Sequence, residues 1–288
     1  MSVAPVPGKL AKPAPAKSVP APMKGPSPAT VERSVTQFTT TRGLSAAAHK
    51  IVIYGSGGIG KSELASLLTE VGIQPVFIDI EEGSNFLDVT RIQPTPTTFS
   101  ELLEAIRAAK DLGNAIVIDS FTRAEEMAVQ HTLETVPHEK GHFCTSIEGY
   151  GFGKGFTHVY ETFLKLLQAL DAVVRSGVHV VATCHDCTAN VPNPTGDDFI
   201  RFEPRLQSPP SGKGSIRHRV KEWGDHLLFI GYDTYVNKDG KASGSGTRTI
   251  YPVEMPAFWA KSRCLSDPLP YIQGDAAIWE TLFKTEEK

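Results

Sequence analysis

The chain has 288 residues, 40% hydrophobic and 21% charged, which is enough for one sizeable α/β core with appendages. No apolar run reaches the roughly 18 residues that span a bilayer, and the N-terminus lacks the apolar stretch of a secretory signal, so a cytoplasmic protein with no membrane role is expected. The net charge of −3 is uneven: residues 1–49 carry Lys9, Lys12, Lys17, Lys24, Arg33 and Arg42 against Glu32 alone, a balance of +5 that leaves −8 on the remainder, so any nucleic-acid affinity must rest on local patches or on the basic arm.

Residues 1–30 hold eight of the 21 prolines, interleaved with Ala, Lys and Ser. Such a stretch buries too little apolar surface to offset its ordering entropy, so residues 1–45 read as a disordered Pro/Ala/Lys-rich tail and residues 46–288 as one domain. Four cysteines (Cys144, Cys184, Cys187, Cys264) without a regular framework suit reduced thiols. From residue 46 strands and helices alternate. Residues 50–54 predict a strand, followed by a helix to about 71, and 75–80 predict a second strand. Residues 99–112 predict a helix with Ser100 as cap, and 115–118 a third strand. A long amphipathic helix is expected over 156–176 and a fourth strand over 178–183. Continuous apolar strands between helices predict an α/β fold, a mostly parallel sheet with helices on both faces. Residues 190–214, rich in Pro, Gly, Asn and Ser, read as a loop broken by short strands. Strands are expected again over 226–231 and 248–252, flanking a Gly/Ser-rich loop at 238–246.

The first strand runs into Gly55-Ser56-Gly57-Gly58-Ile59-Gly60-Lys61-Ser62, a complete G-x-x-x-x-G-K-S phosphate-binding loop. Its glycines let the backbone wrap around phosphates, and the following helix directs unpaired N–H groups at the anion. Lys61 is placed to reach the β and γ phosphates of ATP, and the Ser62 hydroxyl to complete an Mg²⁺ shell. The strand Ala115-Ile116-Val117-Ile118 ends in Asp119, 57 residues after Ser62, and suits a Walker B strand whose aspartate holds Mg²⁺. The string Phe77-Ile78-Asp79-Ile80-Glu81 offers a carboxylate to activate water, Glu81 first and Asp79 second. His185, at the tip of the fourth strand, is placed to sense the γ-phosphate.

The order of phosphate loop, Phe77–Glu81 string, Asp119-Ser120 and polar-tipped strand resembles the RecA/RadA-like P-loop NTPases. Within them it is most similar to the phage Sak-type single-strand annealing proteins and phage AAA-type nucleotide-binding proteins, over residues 48–265. The resemblance implies a RecA-like P-loop NTPase fold, with Glu81 as catalytic glutamate, Asp119 as Walker B aspartate and His185 at the sensor position, where the recombinases usually have Gln. It implies a DNA-stimulated ATPase that binds and anneals single-stranded DNA in phage recombination, in the host cytoplasm. A homo-oligomeric ring or filament and a single-strand-binding protein as partner go with that reading. The alternatives are a helicase or helicase-loader motor, or a nucleotide-gated scaffold without DNA binding. DNA is expected on loops after the Walker B and sensor strands. In the first, residues 137–155, Tyr150, Phe152 and Lys154 offer stacking faces and a phosphate contact, although the aromatics could equally pack on the core. In the second, residues 188–219, Arg205, Lys213, Arg217 and Arg219 (with Arg201) suit a phosphate track, or else ion pairs with Asp197, Asp198 and Glu203. Lys261-Ser262-Arg263 resembles the Lys-x-Arg element that such ATPases present to a neighbouring subunit's nucleotide. His138-x-x-x-His142-x-Cys144 matches no standard zinc spacing, and zinc is the lesser reading there.

Overall fold

The structure, a computed structural model, describes residues 47–236 and 242–284 together with Met1, Thr40 and Arg42. The expected tail over 1–45 thus lies almost wholly outside the described residues, as do residues 237–241, at the start of the loop expected over 238–246. Among the described residues no helix is long and apolar enough to cross a membrane.

In chain order the elements are β1 (Lys50–Gly55), α1 (Lys61–Ser66), β2 (Pro75–Asp79), β3 (Thr90–Arg91), α2 (Phe99–Ala109), β4 (Ala115–Asp119), α3 (Phe121–Thr135), α4 (Lys154–Arg175) and β5 (His179–Val191). They continue with β6 (Phe199–Pro204), α5 (Ile216–Trp223), β7 (His226–Val236), β8 (Ala242–Tyr251), β9 (Leu269–Tyr271) and α6 (Ala277–Lys284). The sheet order is β3-β2-β4-β5-β1-β7-β8-β9, parallel from β3 to β7 and antiparallel beyond. β5 thus lies between β1, which runs into Gly55–Ser62, and β4, which ends in Asp119.

Alternating strand residues feed two cores. Val52, Tyr54, Ile78, Ile116 and Val180 pack beneath α2, α3, α4 and α5. Ile51, Ile53, Phe77, Val117 and Leu228 face α1 and α6. Every residue of β2 and β4 is buried, which explains their unbroken apolar sequence.

Four expectations need correction. The first helix is α-helical only to Ser66 and continues as a 3₁₀ turn over Leu67–Val71, next to the point where the Trp279 indole N–H bonds to Leu64 O at 2.7 Å. The cap of α2 is Thr98, in a capping box with Glu101, not Ser100. The fourth strand runs on to Val191 and pairs with β6 as an antiparallel hairpin. Of the basic loop expected over 188–219, β6 is one of the short strands foreseen within 190–214, but residues 216–219 form the first half of α5.

Candidate nucleotide and catalytic site

Because β1 lies between β5 and β7, its carboxyl end emerges mid-sheet, and the chain turns there through Gly55–Ser62. Gly60 has φ of 107°, a left-handed backbone that only glycine adopts without strain, and a Cβ there would collide with the Tyr271 hydroxyl. The buried Lys61 side chain folds back, its Nζ donating to Gly55 O and Ser56 O at 2.9 Å each. Burial lowers its pKa, and nearby Asp119 opposes that.

Asp119 is also buried. Ser62 Oγ donates to one of its carboxylate oxygens and Thr183 Oγ1 to the other, both at 2.5 Å. Burial raises the Asp119 carboxyl above its ordinary range, against the pull of these two hydroxyls. A carboxylate flanked by hydroxyl oxygens is a hard-donor set that fits Mg²⁺, with Ser62 and Asp119 as the holding residues. The Asp119–Ser120 peptide is cis.

Glu81 lies just beyond β2. It accepts a hydrogen bond from the Ser120 hydroxyl on one oxygen, and its other oxygen is 3.1 Å from His185 Nε2. Glu81 and His185 each keep about a quarter of their side-chain surface exposed, 27% and 26%. The expected residues Glu81, Asp119 and His185, carried by three neighbouring strands, therefore share one constellation beside the phosphate loop. Ser120 and Thr183 were missed as members of it. The available signal was a hydroxyl near the end of each of two apolar runs, Ser120 just past Asp119 and Thr183 directly after Val180–Ala182. Asp79, the second choice for activating water, is not free to do so: its buried carboxylate accepts the Gly83 and Ser84 N–H groups, at 3.1 and 2.8 Å, and the Ser84 hydroxyl. It shapes the loop that carries Glu81.

Lys261 and Arg263 are not near their own phosphate loop. Lys261 bridges Leu227 at the start of β7, which pairs with the start of β1, so both lie at the amino end of the sheet. Lys261 Nζ donates to Lys221 O and Glu222 O at 2.8 and 3.3 Å, and Arg263 Nε to Asp225 at 2.8 Å.

The DNA candidates separate. Tyr150 corrects the expectation: its ring is buried and its hydroxyl bonds to Thr132 O and Val136 O at 3.2 and 2.6 Å, so it offers no stacking face. Phe152, by contrast, is fully exposed at a positive φ of 50°. Lys154 opens α4 and pairs with Glu139. Arg217 is tied to Glu203 at 2.8 Å and Arg201 to the same carboxylate at 2.7 Å, so the ion-pair alternative holds for both. Arg219 lies 3.8 Å from Glu222. Arg205 and Lys213 are exposed, and the Arg205 backbone N–H donates to His185 O at 2.8 Å. His138 and His142 stack with centroids 4.7 Å apart, and no group of three His, Cys, Asp or Glu placed to hold a metal occurs among the described residues. A cleft of about 490 Å³ opens beside Ser56 and Ile59, walled by Phe202, Phe229, Tyr232 and Phe258.

The AAA domain family matches residues 47–264. Among solved structures, similarity extends to a KaiC-like protein from the hyperthermophilic archaeon Pyrococcus horikoshii OT3, at 14% identity, 78% of this chain, 85% of that one and a TM-score of 0.39. It extends also to the P4 protein of bacteriophage phi6 in complex with ADP, at 15% identity, 73% of this chain, 67% of that one and a TM-score of 0.27. No curated protein matches.

Proposed function

This chain belongs to the AAA domain family, and on that premise we propose that it hydrolyses Mg²⁺-bound ATP and couples turnover to single-stranded DNA, as a Sak-type annealing protein of phage recombination would. The observation that carries the ATPase reading is the meeting of Ser62, Asp119 and Glu81 around the phosphate loop. When bound, Mg²⁺ would neutralise phosphate charge from Ser62 and Asp119. Lys61, now held by loop carbonyls, would exchange those acceptors for phosphate oxygens. Glu81 accepts bonds from Ser120 and His185 and retains lone pairs to orient a water.

The DNA arm of the proposal rests on the Arg205 N–H bond to His185 O, which joins a basic exposed segment to the residue that touches Glu81. Phe152 is the stacking face, and Arg205 and Lys213 the phosphate contacts. Lys261 and Arg263, remote from their own site, act on a neighbour's nucleotide in a homo-oligomeric ring or filament. Residues 46–288 form the ATPase domain, the basic arm over 1–45 precedes it, and a single-strand-binding protein is a further partner.

The test measures ATP hydrolysis by the full chain with and without single-stranded DNA, alongside annealing and unwinding assays. Stimulation with annealing is expected, and Glu81→Gln should keep nucleotide binding while losing on the order of 100-fold or more in turnover. Directional unwinding would instead mark a motor. Indifference to DNA at low salt would remove the DNA arm and leave an ATPase.

A further inference from the structure

The phosphate loop is held unequally along its length. The first half is held by Lys61 Nζ on Gly55 O and Ser56 O, and a Cβ added at Gly57 or Gly58 would meet open space. Behind the second half stand two residues from the far side of the sheet. Arg248 on β8 donates from Nη1 to Ile59 O at 2.7 Å, and the Tyr271 hydroxyl on β9 lies 3.0 Å from Gly60 O and 2.9 Å from the Glu63 carboxylate. Strand register sets Arg248 directly opposite Tyr271, and the guanidinium lies over the phenol ring, 4.2 Å from its centroid. Burial first, then Glu63, pushes the Tyr271 phenol upward, so it stays a protonated donor.

A trans peptide points its C=O and N–H in opposite directions. Ile59 O is fixed by Arg248, and Gly60 O jointly by the Leu64 N–H at 2.8 Å and by the Tyr271 hydroxyl, whose one proton is shared with Glu63; this turns the N–H groups of Gly60 and Lys61 toward the front of the loop. We propose that Arg248 and Tyr271 are positioning residues of the nucleotide site: they aim two backbone donors of the phosphate loop at the anion before it arrives. Tyr271 lies outside the span 47–264 matched by the family, so this chain completes its phosphate loop with a residue from its C-terminal segment. The inference rests on the nucleotide-binding reading above and deepens it. Its energetic basis is preorganisation: a donor already aimed need not be ordered during binding. A charge-assisted bond from Arg248 holds better than a neutral one.

A purely structural role would affect stability and binding together, so the test separates them. The probe is a fluorescent N-methylanthraniloyl ATP with Mg²⁺, titrated into the full chain and its variants, with thermal midpoints, KM and kcat measured in parallel. Tyr271→Phe keeps the ring and removes the hydroxyl, and should weaken binding roughly tenfold. Arg248→Ala should weaken it by roughly tenfold or more, with Arg248→Lys recovering part of the loss. In each case the effect should fall on KM, with kcat at saturating ATP within about twofold of wild type. Trp279→Phe is the control, because it removes the bond to Leu64 O behind the same helix without touching the loop. It should lower the thermal midpoint and leave affinity within about twofold.

Equal affinity in wild type, Tyr271→Phe and Arg248→Ala overturns the proposal, as does an affinity loss in Trp279→Phe matching that of the others. If Arg248→Ala does not fold, the conservative Tyr271→Phe and Arg248→Lys decide it. Failure of the folded wild-type chain to bind the probe overturns the nucleotide reading itself, a result distinct from equal binding by all variants.

Discussion

Glu125 illustrates how one side chain sets a pH dependence. It lies on α3 and accepts the Gln207 N–H at 2.6 Å, and burial pushes its carboxyl up to about 7, with that hydrogen bond and then Arg217 only partly opposing. The unfolded chain releases this proton near the ordinary carboxyl value of 4.5 and the folded chain near 7. Between those limits the folded state holds more protons, so stability falls as pH rises through that window and stays lower above it. Glu125→Gln removes the titration and should be more stable than wild type above pH 7, by on the order of 2–3 kcal/mol, the gap closing toward pH 5. Parallel thermal-midpoint curves for the two proteins from pH 5 to 8 would contradict this. At this scale the sequence showed Lys61 and Ser62 plainly, since a motif fixes their spacing, and offered Asp119 as the acid closing an apolar strand. Ser120 and Thr183 stayed hidden because a hydroxyl ending an apolar run marks no chemistry until its partner, Glu81 or Asp119, is brought against it.

Among elements, those buried on both faces were the most legible: β2 and β4 announce themselves as short unbroken apolar runs. Helix α3 was not legible, because its buried stripe dilutes Phe121 and Met127 with Ala124, Ala128 and the polar Thr122 and Thr132, set among charges. The β5–β6 hairpin was read only as short strands breaking a loop, and the start of α5 as loop, since local polarity there is compensated by long-range pairing that no short window contains. The 3₁₀ turn before α4 carries the clearest reversal, for Tyr150 packs inward where a stacking surface was expected. Tyr150→Phe would leave the Val136 carbonyl without its phenol partner and should cost about 1–2 kcal/mol of stability in denaturant titration. Single-stranded DNA affinity should be unchanged by it, whereas Phe152→Ala, at an exposed site, should weaken that affinity without a stability cost. The opposite pattern would restore Tyr150 to the interface.

For the whole molecule, the sheet divides the chemistry between its two ends. The phosphate loop, Glu81, Asp119 and His185 stand at the carboxyl ends of the parallel strands, while Lys261 and Arg263 are anchored at the amino end. If the latter serve a neighbour, two inactive variants should complement each other. Lys61→Ala subunits would supply an intact Lys261 to Lys261→Ala subunits, and the mixture should recover a measurable fraction of the ATPase rate absent from either alone. No recovery at concentrations where wild type assembles would confine these cations to a structural role. The Trp279 bond to Leu64 O has a different consequence, for where this polypeptide can be divided. Similarity to the family stops at residue 264, ahead of β9 and α6, yet Trp279 is fully buried against the underside of α1. A fusion junction or protease cut placed at that limit would strip the cover from the helix that follows the phosphate loop. The workable joints of this protein lie beyond α6, and homology alone would draw the boundary about twenty residues too early.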